Sequence, residues 1–397
     1  MQSVDRHDVE DLLARLRTRF PTERYVDLAL SEKMRQRTDT PYQPQVLEQV
    51  VARLRAFLEQ RLPGPVAVSE VKGLAGGSSK EQFAFRLQWQ DRNGVAMDER
   101  LVLRMRPAES IVETHGLREF QAIEAVRGVL PVPTLRWIDP DGAELGRPAI
   151  IYEFMHGVSK PPFDGAYTPK NHFSKRYRQL IYPQFVEYFA KLGRLDCSAA
   201  ALPAFDRPQS GSNEGVLAVI NWWQRVWVED SVEAFPLLTL TADWLRRHAP
   251  AIDHVSLVHS DFRPGNFLFD PGSADITAFL DWELALLGDR HMDLAYFMSP
   301  MFSRVDEESG EELLGGLVTR AQFVEDYERL SGLSVDQARL DYYSVFNSWR
   351  GAIISMATAP RIAMGQKSHQ DIRVGWIAGT APISCNEIHR QLRGLQS

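Results

Sequence analysis

Apolar residues recur three or four positions apart in two stretches near the start of the chain, and each stretch predicts a helix with one buried face. In chain order, the two sets are Val9, Leu12, Leu13, Leu16 and Phe20, and then Leu47, Val50, Val51, Leu54, Phe57 and Leu58. The mostly polar residues 31–44 between them are typical of a linker. We assign residues 1–65 to an N-terminal helical extension, which we expect to pack against the rest of the chain or against a partner.

The apolar period changes to two from about Val66 onward, as expected for strands with one buried face. The alternating apolar positions are Phe83, Phe85, Leu87, Leu101 and Leu103. These strands predict a small β-rich lobe over residues 66–155. Helical spacing returns at Phe185, Phe189 and Leu192, so residues 156–397 are predicted to form a larger, mainly helical lobe. The predicted fold class is therefore α+β.

Three short apolar runs, at 255–258, 267–269 and 276–280, are separated by turn-forming residues. Pro and Gly stand in both of the intervening turns, where a strand could not continue. Antiparallel pairing of the second and third runs would bring Asn266, just before one strand, beside Asp281, just after its partner.

Asp261, Asn266 and Asp281 carry the side chains that phosphoryl transfer from ATP requires. The carboxylate of Asp261 can orient and deprotonate an acceptor hydroxyl. The amide oxygen of Asn266 and the carboxylate of Asp281 are hard ligands of the kind that Mg²⁺ prefers. We therefore predict that Asp261 is the catalytic residue and that Asn266 and Asp281 are metal ligands.

Each of these residues, taken alone, also has a purely structural interpretation. His259 could be a core histidine whose ring satisfies backbone groups. Asp261 and Asn266 could belong to turns, and Asp281 could cap the segment that follows it. Their order and spacing, with apolar runs between them, favour the catalytic interpretation.

The letters HSDFRPGN, followed by DWE and by GDRHMDLA at residues 288–295, resemble the aminoglycoside phosphotransferase and choline kinase branch of the protein-kinase-like proteins. The resemblance is closest to the kinase domains associated with acyl-CoA dehydrogenases. It implies a bilobal protein-kinase-like fold, with ATP as the phosphoryl donor and Mg²⁺ as the metal. Ser260 stands where that family usually has glycine, and we expect this to have a modest effect on the backbone angles of the loop.

The resemblance also implies a set of phosphate-binding residues upstream. Gly76, Gly77 and Ser78 lie in a glycine-bearing loop that would cover the phosphates. Arg104 stands where protein kinases have lysine, and it would hold phosphate oxygens. Glu119, on a predicted helix, would pair with Arg104 and orient it.

The hinge between the two lobes is the last element that the resemblance implies. Glu153 and Met155 occupy the hinge positions, where backbone groups would bind the adenine base, and Tyr152 would line the back of that pocket.

The charge balance limits the partners that the chain can have. It carries 45 basic and 52 acidic residues, a net charge of −7, which predicts neither a nucleic-acid partner nor an anionic membrane. No apolar run reaches the length of a membrane span, and the charged start lacks the apolar core of a signal peptide. The two cysteines, Cys197 and Cys385, are far apart and fit reduced thiols, so we expect a cytoplasmic protein. The oligomeric state stays open.

The expected function is a small-molecule kinase that phosphorylates a hydroxyl group. The resemblance suggests a hydroxyacyl-CoA or a related catabolic intermediate as acceptor, and an aminoglycoside antibiotic is the alternative acceptor. The non-enzymatic alternative is a pseudokinase that binds a nucleotide without transferring its phosphate. A basic run that includes Lys170, Lys175, Arg176 and Arg178, expected on a loop after the hinge, favours an anionic acceptor over a polycation. Arg350 is a further candidate contact for such an acceptor, although an ordinary ion pair is the alternative.

Overall fold

The structure is a computed structural model that describes residues 6–37, 41–43, 45–74, 79–107, 109–161, 173–197, 201–306, 308–367 and 371–395. Helices and sheets are both present, and the α+β fold with a small and a large lobe is confirmed. Among the described residues, three helices precede the first strand: α1 (Arg6–Arg19), α2 (Arg24–Gln36) and α3 (Leu47–Glu59).

The small lobe is an antiparallel five-stranded sheet with one helix, α4 (Gly116–Val126). Its strands are β1 (Ala67–Gly73), β2 (Glu81–Gln90), β3 (Ala96–Met105), β4 (Leu135–Asp139) and β5 (Ala149–Glu153). They lie in the order β1-β2-β3-β5-β4. The sheet starts and ends within two residues of the predicted lobe boundaries 66 and 155.

Alternation along β3 gives the sheet two differently covered faces. Leu101 and Leu103 pack in a cluster with Leu54 and Phe57 of α3. Val102 packs on the opposite face, in a cluster that includes Phe120 of α4. Because side chains alternate along a strand, Arg104 shares the face of Val102 and points towards α4.

The N-terminal helices divide their contacts between the lobes. While α3 covers the small-lobe sheet, α2 packs on the large lobe through ion pairs with helix α6 (Glu214–Asp230). Lys33 Nζ lies 2.9 Å from Asp230 Oδ1, and Arg225 Nη1 lies 2.5 Å from Asp27 Oδ1. The apolar pattern predicted α1 and α3 but not α2. The expectation that residues 31–44 form a linker was wrong for residues 31–36, which belong to α2.

The large lobe contains the remaining helices and strands. The helices besides α6 are α5 (Lys175–Gly193), α7 (Pro236–Arg247), α8 (His291–Phe297), α9 (Arg320–Ser331), α10 (Gln337–Ile353), α11 (Ala359–Met364), α12 (Asp371–Gly379) and α13 (Ala381–Gly394). The strands are β6 (Val255–Val258), β7 (Phe267–Phe269), β8 (Ile276–Phe279), β9 (Leu286–Asp289), β10 (Arg304–Val305) and β11 (Glu312–Leu313). A π-helical stretch, Ile354–Thr358, joins α10 to α11.

Buried aromatic side chains hold the short strands in place against α5. Phe185 of α5 contacts the rings of Phe262, Phe267 and Phe279, with ring centroids 5.4, 5.7 and 6.5 Å apart. Aromatic pairs at such separations add to the stabilisation from burial. The β7–β8 hairpin is therefore fixed on a helix, and the residues at its ends are held with it.

Helix α5 begins earlier than the sequence pattern suggested. Lys175, Arg176 and Arg178 lie in its first turns, so the expectation that they belong to a loop was wrong. Ser174 precedes the helix with an extended backbone, as N-cap residues do. Lys170 lies outside the described residues. Within the described part of the chain, no helix is long and apolar enough to span a membrane.

Candidate active site

The loop between β6 and β7 carries the predicted catalytic residue, and its conformation is set by Ser260. This residue has φ +68°, in the left-handed region that favours glycine. The sequence anticipated a modest effect here. The backbone instead keeps the conformation that a glycine would adopt, and serine bears the strain.

Asp293 on α8 holds this strained turn. One carboxylate oxygen accepts the backbone N–H of His259 and the other that of Ser260, each at 2.7 Å. From the other side, Arg350 donates to the carbonyl oxygen of Ser260 at 2.8 Å. Burial of the Asp293 carboxyl raises its pKa to about 6. The loop is thus fixed by two side chains from distant helices.

His259 has the structural role that was the alternative interpretation of the sequence. Its Nδ1 accepts the backbone N–H of Asp261 at 3.2 Å, so its Nε2 carries the proton that it donates to Leu280 O at 3.0 Å. The fully buried ring links the loop before Asp261 to the residue before Asp281.

Three side chains contact the carboxylate of Asp261. Arg263 Nε donates to Oδ1 at 2.7 Å, and Asn266 Nδ2 donates to Oδ2 at 2.6 Å. The hydroxyl of Tyr296 also hydrogen-bonds to Asp261. Burial of the tyrosine is the main cause that raises its pKa above the usual value, and the nearby Asp261 carboxylate raises the pKa further. Arg263 and Tyr296 were not among the predicted site residues.

Asn266 and Asp281 meet at one end of the β7–β8 hairpin, as the sequence predicted. Phe267 pairs with Phe279, and Leu280 N donates to Asn266 O at 2.8 Å. Asn266 Nδ2 also donates to the backbone oxygen of Asp261 at 2.9 Å. Since both contacts use the amide nitrogen, the amide oxygen of Asn266 is left to accept or to ligate.

These two residues fit a Mg²⁺ ion that is completed by phosphate oxygens. The side chain of Asp281 is 32% exposed. Its Oδ1 is paired with Arg104, so its Oδ2 is the oxygen that could bind a metal. Among the described residues, no group of three or more His, Cys, Asp or Glu side chains could hold a metal alone. A site with one amide and one carboxylate therefore suits an ion that keeps water and phosphate ligands.

The predicted pair of Arg104 and Glu119 is present, with Arg104 Nε 3.0 Å from Glu119 Oε1. Both side chains are buried. Arg104 Nη2 also contacts Asp281 Oδ1 at 2.6 Å, which the sequence did not reveal. The guanidinium thus bridges helix α4 and the end of the hairpin. Its role towards phosphates stays a prediction.

Glu283, two positions after Asp281, is a second buried carboxylate in this cluster. It accepts a hydrogen bond from Ser79 Oγ and lies 2.7 Å from Lys80 Nζ. Arg104 Nη2 is 3.7 Å from the same carboxylate. Glu283 therefore ties the residues just before β2 to the segment after β8. The sequence showed this glutamate only as a letter of the DWE motif.

The remaining predicted nucleotide residues are only partly described. Gly76, Gly77 and Ser78 lie outside the described residues. The backbone N–H of Glu153 donates to Thr134 O at 2.9 Å and is therefore already used within the sheet. Met155 follows the end of β5 and is half-buried, and its part in binding adenine stays a prediction.

The basic residues expected near an acceptor have protein partners. Arg178 Nη1 lies 2.7 Å from Asp306 Oδ1, and Arg176 donates to Gly272 O at 3.2 Å. Gly272 is in the β7–β8 turn, and Asn266 is at the other end of the hairpin. Three strand residues separate these two ends, which corresponds to about 10 Å. Arg350 is 4% exposed, and its guanidinium stacks over Tyr296 and holds Ser260.

Comparison with known proteins agrees with this geometry. The sequence profile described as "Phosphotransferase enzyme family" matches residues 70–333. Mouse acyl-CoA dehydrogenase family member 10 is 27% identical over 328 residues, covering 79% of this chain and 28% of that protein. Human acyl-CoA dehydrogenase family member 11 is 24% identical over 332 residues, covering 80% of this chain and 40% of that protein. The chain thus spans well under half the length of these relatives.

A solved structure from Ralstonia eutropha, of a protein assigned as an aminoglycoside phosphotransferase, has a similar fold. It superimposes with a TM-score of 0.62 at 22% identity, covering 87% of this chain and 98% of that one. The profile match covers residues that include both the Arg104–Glu119 pair and the 261–281 cluster. The chain therefore belongs to the phosphotransferase enzyme family.

Proposed function

We propose that this protein transfers the γ-phosphoryl group of ATP to a hydroxyl group of a small molecule. The observation that carries the proposal is the double use of the Asn266 amide. Its nitrogen holds the Asp261 carboxylate at 2.6 Å, which leaves its oxygen to accept or ligate, and the backbone bond from Leu280 N to Asn266 O brings Asn266 next to the residue that precedes Asp281. Asn266 would thus connect Asp261, which takes the proton of the acceptor, with the metal site at Asp281. Phosphoryl transfer needs both groups close together.

The residues divide the work between positioning and charge stabilisation. Asp261 orients the acceptor hydroxyl and takes its proton as the acceptor oxygen bonds to the γ-phosphorus and the bond from that phosphorus to the bridging oxygen breaks, which releases ADP. Asn266 and Asp281 hold Mg²⁺, which when bound neutralises charge on the phosphate oxygens. Arg104, fixed by Glu119, contacts phosphate oxygens as a permanently charged donor.

The contact of Arg263 with Asp261 occupies part of the carboxylate that would bind the acceptor hydroxyl. Both oxygens of Asp261 already accept hydrogen bonds, from Arg263 and Asn266. An acceptor hydroxyl would therefore share the carboxylate with Arg263, Asn266 and Tyr296. The Arg263 side chain is 28% exposed, and it also donates to Pro264 O at 3.1 Å and lies over the Phe302 ring.

The acceptor that we propose is a hydroxyacyl-CoA or a related hydroxylated catabolic intermediate. Its support is the similarity to two proteins named as acyl-CoA dehydrogenases, of which this chain matches only a part. The basic residues at the start of α5 no longer support this acceptor, because Arg178 is paired with Asp306 and Arg176 contacts the hairpin turn. Within the enzyme class, an aminoglycoside is the alternative acceptor.

The experiment that tests the function measures ADP release with a panel of acceptors. The panel contains hydroxyacyl-CoAs, the corresponding free hydroxy acids and several aminoglycosides, each with Mg²⁺–ATP. We expect ADP release that depends on a thioester substrate and a phosphorylated product in equal amount. Turnover with aminoglycosides alone would reject the proposed acceptor and keep the chemistry. Nucleotide binding without turnover of any acceptor would favour a pseudokinase.

A further inference from the structure

A second buried cation lies beside Arg104. Lys80 directly precedes β2 and is 5% exposed. Its Nζ is 2.7 Å from Glu283 Oε2 and donates to Thr114 Oγ1 at 3.2 Å. The cluster therefore contains two cation–carboxylate pairs, each joining different parts of the chain: Arg104 with Glu119, and Lys80 with Glu283.

Stability alone does not account for the burial of this second pair. Removing an ammonium and a carboxylate from water costs free energy that their attraction roughly offsets, and apolar residues of similar size often do as well. The pair lies instead where a charged ligand is expected. Glu283 is two positions after the predicted metal ligand Asp281, and Lys80 follows the predicted phosphate loop at 76–78.

The two cations differ in how firmly they are held. Arg104 lies within 4 Å of the carboxylates of Glu119, Asp281 and Glu283, so its planar guanidinium is fixed in one orientation. Among the described residues, Lys80 forms one ion pair, with Glu283, and it carries its charge on a flexible four-carbon chain. An ammonium of this kind can exchange a carboxylate for an incoming phosphate oxygen.

We propose that Lys80 is a second phosphate-binding residue, which contacts the γ-phosphoryl group of ATP, and that Glu283 positions it. The inference rests on the proposed function. Asp281 would hold a metal that neutralises charge on the phosphate oxygens, and Glu283, two positions after Asp281, holds the Lys80 ammonium at 2.7 Å. In this arrangement Arg104 contacts the α and β phosphates, and Lys80 contacts the γ phosphate.

Calorimetric titration tests this with two nucleotides that differ in one phosphate. The probes are Mg²⁺–ADP and the Mg²⁺ complex of the β,γ-imido analogue of ATP, which does not transfer its terminal group. We expect Lys80→Met to weaken binding of the analogue about ten- to a hundredfold, as loss of a charged hydrogen bond does. Binding of Mg²⁺–ADP should change less than about threefold.

Two further variants keep the test informative. Lys72→Met removes an exposed lysine of β1 and should change neither affinity. Lys80→Met combined with Glu283→Gln removes both charges, which avoids an unpaired buried carboxylate if the single variant folds poorly. This double variant should show the same selective loss of the analogue.

The possible outcomes separate the inference from the function on which it rests. Equal weakening of both nucleotides, or unchanged binding of the analogue, would overturn the role of Lys80 while the wild-type protein still binds nucleotide. Failure of the wild-type protein to bind either nucleotide would overturn the proposed function itself, and the inference with it.

Discussion

Ser260 pays a conformational cost for its place before Asp261. Its φ of +68° is unfavourable for a residue with a Cβ by roughly 1 kcal/mol, and it persists because Asp293 and Arg350 bind its backbone on both sides. We predict that Ser260→Gly raises the free energy of unfolding by about 0.5–1 kcal/mol. Denaturant unfolding measures this change.

Ala274 offers a matched control, since it has φ +65° in the β7–β8 turn, away from Asp261. Ala274→Gly should stabilise the protein by a similar amount. A loss of stability in Ser260→Gly alone would show that its hydroxyl, which lies 3.8 Å from Met292 Sδ, contributes more than the backbone strain costs.

Asp293 should make stability depend on pH in an unusual direction. Burial raises its pKa to about 6 from an ordinary value of 3.8. The folded protein therefore binds this proton more tightly than the unfolded chain, and the resulting stability is full below about pH 4 and lost as pH rises through 6. The whole shift corresponds to about 3 kcal/mol. We predict that Asp293→Asn flattens this part of the unfolding free energy between pH 4 and 7.

Asp289 serves as the opposite control for this pH dependence. Burial acts to raise its pKa, but bonds with His291 and Arg339 hold the pKa below its ordinary value. Its stabilising contribution is present above the unfolded pKa and is lost as the pH falls. Asp289→Asn should therefore remove a contribution to the unfolding free energy that increases as the pH rises, which is opposite to the contribution of Asp293. Parallel pH profiles for wild type and Asp293→Asn would contradict the assignment.

At the scale of the elements, helix α4 is held from three directions by one side chain. Arg118 donates to Glu23 Oε2 at 2.6 Å, to Ala204 O at 3.1 Å and to Ala285 O at 3.1 Å. It thereby joins the small lobe to the N-terminal extension and to the large lobe. Glu119 is the next residue on the same helix, so these contacts also set where Arg104 is held.

We predict that Arg118→Leu lowers the free energy of unfolding by about 3–5 kcal/mol, because it leaves Glu23 buried without its partner. Arg127, one residue past the end of α4, pairs with Glu124 on the surface and is 59% exposed. Arg127→Leu should change stability by no more than about 0.5 kcal/mol. Similar costs for the two variants in denaturant unfolding would show that Arg118 does not hold the helix.

The hairpin of β7 and β8 was predictable because its signals are local. Apolar runs and Pro-Gly turns within a stretch of 27 residues, from 255 to 281, fix which ends meet. The pairing of Arg104 with Glu119 was also within reach, since strand alternation and the family pattern both point to it. The contacts of Lys80 with Glu283 were not, because no local pattern links residues that far apart.

The same limit explains why Arg263 and Tyr296 were missed. Arg263 has the sequence surroundings of a turn, and nothing in them shows that its side chain folds back onto Asp261. Tyr296 directly follows the GDRHMDLA segment, but a tyrosine on a helix is more often part of the core. Helical periodicity likewise predicted α1 and α3 but missed α2, and it did not indicate that α3 would pack on the small-lobe sheet, because a pattern identifies a buried face but not what covers it.

For the whole molecule, the N-terminal extension acts as a connection between the lobes. Helix α3 packs on the small-lobe sheet, and α2 is tied to α6 through Lys33 and Asp230. Arg361 of α11 reaches both Asp230 and Glu109, the latter in the segment between β3 and α4. The cluster that contains Asp261, Asp281 and Arg104 thus lies between lobes that are linked at several points away from it.

The most direct test of the central claim is a thermal-unfolding titration of the wild-type protein with Mg²⁺ and ATP, alongside Asp281→Asn and Asp261→Asn. We predict that ATP raises the melting temperature of the wild-type protein only when Mg²⁺ is present, and that the shift grows with ligand concentration as mass action requires. Asp281→Asn should lose most of this Mg²⁺-dependent shift. Asp261→Asn should keep it while losing ADP release, since its carboxylate acts on the acceptor. The absence of any shift for the wild-type protein at millimolar Mg²⁺–ATP would contradict the assignment of this cluster as a phosphotransferase site.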